Sequence, residues 1–389
     1  MMPSQPLPTQ PQPPPQPAKK KRETPAEYAA WLRSFGYNFR LNEISDQIEN
    51  NGVPISDEQY SRVEWELIAK GCDNERYGRI AVNTMAYDNR YNPVKEYLSK
   101  LPYDGGNYFD DLIACFDNPD RLIAVYLRKW MLGAVAKVIQ GSQNRMLILD
   151  GPQGAGKSLF VKWLCSGLPD YFNEGSIDVE SNDTRMRLTS KWIWEVGELG
   201  HTMRNADREA LKNLITQATM TFRRPYGHFD KTKPVLASLV GTINNTAGFL
   251  DDTSGSRRFM VCEVKKVNWK EYLKIDVNKL WGEIYAAFLI GEDTEFTPQQ
   301  TIQAEKNNQQ YEITDPIEIV MHDQFTIRPG DNTLWTSTAE LMYAIMDKLG
   351  KGGSPKSFQM SLAATCKHLG LEKGRQNQWG YYGIGIKLP

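Results

Sequence analysis

Eight consecutive residues carry the plainest chemistry in this sequence. Gly151, Pro152, Gln153, Gly154, Ala155, Gly156, Lys157 and Ser158 match G-x-x-x-x-G-K-[ST] in full. A triphosphate needs several amide N–H donors converging on its oxygens, and only a glycine-rich loop wraps that closely. The helix expected to follow adds the partial positive charge of its N-terminus. In that arrangement Lys157 reaches the β- and γ-phosphates, Ser158 gives a hydroxyl to Mg²⁺, and Leu159 extends the nucleotide-binding run. The reading is a site for ATP and Mg²⁺.

Hydrolysis asks for more: an acid for the metal, a group that orients water, and a cation for the developing charge. Residues 191–198 are an apolar run with acids at its end. Glu195 is the first choice as metal ligand, with Glu198 polarising the attacking water, and the two roles are exchangeable at this level. A second apolar run, 235–242, leads to Asn244 and Asn245. An amide at a strand tip can sense the γ-phosphate, which is the role given to Asn244; a turn-forming Asn pair is the plainer alternative. Arg257 and Arg258 follow a Gly/Ser turn. On such a loop an arginine reaches a neighbouring subunit's phosphates more easily than its own, as a finger acting in trans, and either of the two qualifies.

Between these runs, residues 221–234 alternate cations with aromatics around Gly227. Cations hold phosphates and aromatics stack bases, so this stretch is the candidate DNA contact. Arg223 and Arg224 have a competing role at the nucleotide or at a subunit interface.

The elements that must position these residues can be read next. Residues 146–149 form a strand-like run, then come glycines and a helix near 158–165. With further strands at 192–194, 219–222 and 235–243, the alternation implies a parallel α/β sheet. A long buried helix over 122–139 precedes it, with Asn118 as cap, Pro119 at its first position and Gly141 at its end. Asp276 caps a helix running to about 289 that closes this domain. The resulting domain scheme has a disordered Pro/Gln tail (1–22) ending in four cations and a mostly helical region (23–105), in which Ser56 and Gln59 make a capping box. The nucleotide-binding core (106–290), a linker (291–332) and a C-terminal unit (333–389) complete it. In that last unit Ser337 and Glu340 cap one helix, Ser354-Pro355 starts another, and 379–386 reads as a β-ribbon. Helix, helix, ribbon is the order of a winged helix, with Lys367, Lys373 and Arg375 as duplex contacts; a small capping subdomain is the alternative.

Bulk properties bound the function. Net charge is −1 over 389 residues, so a nucleic-acid surface must be local. The five cysteines form no CxxC pair and no metal-spaced cluster with the four histidines, as expected of reduced thiols in a cytosolic protein. No apolar run approaches the roughly 20 residues of a membrane span, and the N-terminus is not a secretory signal.

Taken in order, the motif at 151–158, the run 194–199 with Glu195 and Glu198, residues 222–227, the run 241–244 and residues 249–259 resemble the virulence-associated protein E family. The stretch around Tyr91, Asn92, Pro93, Tyr97 and Leu98 is similar to that family's lead-in, and the resemblance covers roughly 85–290. Its members are P-loop ATPases of phages, plasmids and mobile islands, related to superfamily 3 helicases. The resemblance implies an α/β P-loop core of AAA+ type, a hexameric ring, translocation on single-stranded or forked DNA, and a primase or primase-polymerase partner, in the cytoplasm of a bacterial or phage-infected host. In superfamily 3 a hairpin before the sensor strand lines the ring pore; by that resemblance His228, Lys231 and Lys233 are the pore candidates. Two features depart from the pattern. Glu195 and Glu198 are split by two residues where the superfamily has adjacent acids, and the proline-rich start carries no primase module. The expected function is a replicative ring helicase; the alternatives are an ATP-driven initiator or loader, and a P-loop kinase acting on a small molecule.

Overall fold

The computed structural model describes residues 24–72, 74–178, 181–197, 205–223, 229–244, 250, 256–311, 315–349 and 355–387; the Pro/Gln tail lies outside them. The chain forms two compact units, residues 1–100 and 101–389. The first combines helices Pro25–Ser34, Asp57–Ala69, Glu75–Asp88 and Pro93–Lys100 with a three-stranded antiparallel sheet, Phe39–Asn42, Gln47–Asn50 and Val53–Pro54. The mostly helical expectation missed this sheet because its strands are four residues or shorter. A local signal was present: Asn51-Gly52, both at positive φ (53° and 82°), is the residue pair that a type I′ hairpin favours. The Ser56/Gln59 capping box is present, each side chain accepting from the other residue's backbone N–H.

The second unit is built on a long helix, α1 (Ile123–Gln140), and a five-stranded parallel sheet. In chain order its parts are β1 (Met146–Asp150), α2 (Lys157–Leu164), β2 (Phe172–Glu174), α3 (Asn182–Ser190), β3 (Ile193–Val196), α4 (Asn205–Thr216), a hairpin of β4 (Thr219–Arg223) and β5 (Asp230–Pro234), β6 (Ser238–Ile243) and β7 (Phe259–Glu263). The sheet order is β7-β1-β6-β3-β2, with the hairpin standing outside it. β1 and β6 are buried at every residue, which is why their sequences are mostly apolar and do not alternate with exposed polar residues. Because every pairing is parallel, all the carboxyl ends of the strands open on one edge.

The start of α1 differs from expectation. The helix begins at Ile123, and Pro119 lies ahead of it, because Arg121 takes a left-handed φ of 56°. Asn118 still serves the helix end, since its Oδ1 accepts from the Ile123 N–H at 3.1 Å. The helix closes at Gly141 (φ 74°) as expected. Indole N–H groups tie its layer to the sheet: Trp130 Nε1 donates to the Leu239 carbonyl at 3.0 Å, and Trp192 Nε1 to that of Ala134 at 3.4 Å.

Residues 291–332, read as a linker, carry two helices. Pro298–Gln309 lies along the outer edge of β7, where Asn307 and Asn308 side-chain amides donate to the carbonyls of Val261 and Phe259 at 2.6 and 3.1 Å. This covers an edge strand that would otherwise present unpaired carbonyls. Pro316–Gln324 belongs to the C-terminal body, its Ile317 and Met321 buried with Leu341, Ile345, Leu362 and Cys366. From 316 onward the order is helix, two strands (Phe325–Ile327 and Trp335–Ser337), helix (Thr338–Leu349), helix (Pro355–His368) and ribbon, with Trp379–Tyr382 central between Trp335–Ser337 and Glu372–Arg375. The Ser337/Glu340 capping box is present. Between core and C-terminal body, Asp276 caps the helix Val277–Leu289, accepting from Asn278 N–H at 2.9 Å.

Candidate nucleotide site

The loop at 151–156 leaves the carboxyl end of β1 and enters α2, whose first residue is Lys157. Its three glycines have different physical reasons. Gly154 and Gly156 sit at φ 81° and 91°, where a side chain strains the backbone. Gly151 is required by packing, since a Cβ there would lie 1.9 Å from the Val264 carbonyl oxygen. The segment after β7 crosses the loop closely: Val264 N–H donates to the Asp150 carbonyl at 2.6 Å and Val267 N–H to that of Ala155 at 2.8 Å.

Lys157 is buried and folded onto the loop. Its Nζ donates to the carbonyls of Gly151 (2.6 Å) and Pro152 (2.9 Å) and to Asn244 Oδ1 (3.2 Å). Burial lowers its pKa, while the carboxylates of Asp150 and Glu195 act in the other direction. Glu195, on β3 next to β6, is 1% exposed. Thr242 Oγ1 donates to its Oε1 at 3.2 Å, whereas Oε2 is buried with no hydrogen-bond partner. Burial raises the Glu195 pKa, with the Ser158 and Thr242 hydroxyls opposing the rise. A buried carboxylate oxygen without a donor, beside a serine hydroxyl, is a donor set that suits a hard divalent cation such as Mg²⁺.

These groups line one cleft of about 790 Å³, walled by residues 153–159, by 174–177 at the end of β2, by Glu195–Gly197 and Leu211, and by Thr242 and Asn244. The sequence reading brought Lys157, Ser158, Leu159, Glu195 and Asn244 to this place. It missed Thr242 and Glu174. Thr242 carried a usable signal, being a hydroxyl at the tip of a fully buried run; Glu174 belongs to a three-residue strand with no signal of its own.

The other candidates are not among the described lining of this cleft. Glu198, Arg224 and His228 lie outside the described residues. Arg257 and Arg258 form a short 3-10 turn leading into β7 and do not line the cleft. Phe259 pairs with Met146 and Glu263 with Asp150, so these arginines stand at the amino end of the strands and the cleft at the carboxyl end. Arg258 Nε is buried without a hydrogen-bond partner, and Arg145 Nε donates to the Arg257 carbonyl at 3.2 Å. On the hairpin, Arg223 pairs with Asp230 at 3.0 Å and Lys231 is exposed. Lys233 is only 9% exposed and sits opposite Met220, so its stem packs against the hairpin's apolar face instead of reaching freely into solvent. Phe229, at the base of the tip, is 87% exposed.

A model of the virulence-associated protein E-like domain matches residues 98–313, more than half of the chain. The chain belongs to this family. Among curated proteins none matches. Among solved structures, the apo structure of the NrS-1 C terminal region (305–718) is 15% identical with a TM-score of 0.55, covering 94% of this chain and all of that one. An A form apo structure of the same region is 17% identical with a TM-score of 0.57, covering 93% and 100%. At these identities the likeness is one of fold. Among the described residues of this family member, no helix is long and apolar enough to cross a membrane, and no cluster of three or more His, Cys, Asp or Glu residues is arranged to hold a metal.

Proposed function

We propose that this virulence-associated protein E-like chain is an ATP hydrolase that works as a ring-forming, replicative DNA helicase of phages or mobile elements. The observation that carries the reading is the convergence of Lys157, Ser158, Glu195 and Asn244 on one cleft, with two arginines held away from it in the turn that leads into the edge strand β7. Gly154, Gly156 and the N-terminus of α2 supply amides for the phosphates. Lys157 exchanges its carbonyl partners for phosphate oxygens. Ser158 and Glu195 would hold Mg²⁺, which would supply positive charge to offset that of the phosphates. Asn244, already within bonding distance of Lys157, stands where the terminal phosphate or its attacking water would be sensed. Glu198 is the candidate for orienting that water.

The arginines argue for a ring. From Arg258 to Glu263 runs about 16 Å of strand at roughly 3.3 Å per residue. A guanidinium at the amino end of β7 cannot complete the cleft at the carboxyl end of β1 in its own subunit, but it can complete a neighbour's. A kinase closing its own lid has no use for that placement. The β4–β5 hairpin immediately precedes the sensor strand β6, which supports a pore role, with Lys231 and the exposed Phe229 as its described contacts. The helix–strand–strand–helix–helix–ribbon order at the C-terminus favours a winged-helix DNA module, and that keeps the loader reading in play. A primase or primase-polymerase is the expected partner in either case.

The deciding experiment pairs ATPase with unwinding of a forked duplex, using Lys157→Ala as control. A helicase hydrolyses ATP faster with single-stranded DNA and separates the fork. ATP-dependent assembly on DNA without unwinding selects the loader, and a monomer whose ATP turnover ignores DNA defeats both.

A further inference from the structure

The phosphate loop gives a bound triphosphate a direction, and that direction points the base at a groove the hydrolytic reading does not use. Lys157 and Asn244 lie toward the terminal phosphate, on the Glu195 side. The nucleoside must therefore leave past the opposite shoulder of the loop, over the first turn of α2. Leu159 is there, 63% exposed, and forms a wall common to the phosphate cleft and a second cavity of about 260 Å³. That cavity is predominantly aromatic and aliphatic, lined by Trp163, Trp269, Tyr272 and Leu273 besides Leu159, with Lys162 and Ser166 also facing it.

Its position is fixed to the loop from both sides. Leu159, Lys162 and Trp163 stand at the i, i+3, i+4 spacing of α2 and so present one stripe, which Ser166 in the turn after the helix extends. The facing helix, α5 (Trp269–Tyr272), follows directly on Val267, whose N–H is bonded to Ala155 of the loop, and Asn268, whose N–H donates to the Cys115 carbonyl at 2.8 Å. Trp163 packs on Tyr272 with ring centroids 4.9 Å apart, while Trp269 stands half-exposed at 50% with one face carrying Lys270.

Building on the nucleotide reading above, we infer that this groove seats the base of the bound nucleoside triphosphate by stacking, with Trp269 as its main platform. Stacking selects a large π-face and reads little else. Strong selection of guanine calls for a carboxylate that accepts from N1–H and the exocyclic amine together, and no carboxylate is among the lining residues. The groove therefore favours purines over pyrimidines and distinguishes adenine from guanine weakly.

The test measures equilibrium binding of ATP, GTP, CTP and inorganic tripolyphosphate, each with Mg²⁺, by calorimetry on the full chain. ATP and GTP should bind within about threefold of each other, and about tenfold more tightly than tripolyphosphate, in line with the worth of one stacked base. Trp269→Ala should remove that advantage while leaving tripolyphosphate affinity unchanged, and Trp269→Phe should keep most of it. Equal binding of ATP and tripolyphosphate by the unchanged protein would overturn the inference, as would an advantage that survives Trp269→Ala. So would a Trp269→Ala protein that alters oligomeric state with the binding ratio intact, since the groove is then a contact between copies. A protein that binds neither ATP nor tripolyphosphate defeats the phosphate-loop reading itself, a result distinct from all of these.

Discussion

Lys157 Nζ and Asn244 Oδ1 stand 3.2 Å apart, joining the helix that follows β1 to the tip of β6. The lysine is satisfied without a ligand, by this amide and by the carbonyls of Gly151 and Pro152. Its charge is thus kept in place in a buried setting, and under the proposed function nucleotide binding would be an exchange of partners.

That relationship separates the two residues by their kinetics. Lys157→Ala removes the phosphate contact, so ATP affinity and turnover fall together. Asn244→Ala removes an amide from the region of the terminal phosphate while the loop stays intact. Turnover is expected to drop about 100-fold with ATP affinity little altered, by analogy with loss of one positioned donor. Steady-state ATPase combined with equilibrium dialysis reads the difference; equal losses of affinity in both variants would remove Asn244 from the sensing role.

Glu195 makes stability depend on pH in a direction opposite to a paired surface acid. Burial holds its folded pKa above the ordinary carboxylate value, so between the two values the native state binds more protons than the unfolded one. Stability of the Mg²⁺-free protein therefore declines as pH rises through that window, because the slope follows the difference in bound protons. Glu195→Gln should abolish ATPase and also raise Tm at neutral pH, by about 2–4 °C for each kcal/mol relieved. Thermal melts at pH 5 and pH 8 check this. A variant less stable than the parent at pH 8 would show that the carboxylate is already compensated.

The glycines of the loop should part company on substitution. Gly151→Ala drives a methyl into the Val264 backbone carbonyl, which cannot swing aside as a side chain could, and overpacking of this kind costs about 1–3 kcal/mol or more. Gly154→Ala meets nothing within 4 Å and carries only the left-handed penalty of about 1–2 kcal/mol. Denaturant melts are expected to rank Gly151→Ala as the more damaging, whereas ATP affinity should suffer in both.

If the arginine finger acts in trans, defects in different subunits will complement. Arg257→Ala and Arg258→Ala are made separately, and the one that supplies the finger should retain ATP binding and lose turnover. Mixing it with Lys157→Ala, whose arginines are intact, restores some competent interfaces and hence measurable ATPase. The readout is activity against mixing ratio; a flat line for both arginine variants, with rings intact, argues against the trans arrangement.

The sequence alone determined the parts whose chemistry is local. The glycine-rich loop between an apolar strand and a helix was legible because its turn geometry is set by neighbouring residues, and the capping pairs Ser56/Gln59 and Ser337/Glu340 act within one turn. The mostly apolar runs of β1 and β6 were readable as strands of a parallel sheet for the same reason. Tertiary structure decided what depends on residues far apart in the chain. Strand order brought Thr242 to Glu195 and Asn244 to Lys157, set the two arginines at the far end of the sheet, and buried Lys233 in the hairpin. The crossing of Val264 over Gly151, and the placement of Trp269 beside Leu159, join segments more than 100 residues apart. Periodicity describes which face a residue occupies within its own element; only the packing of those elements decides which side chains meet.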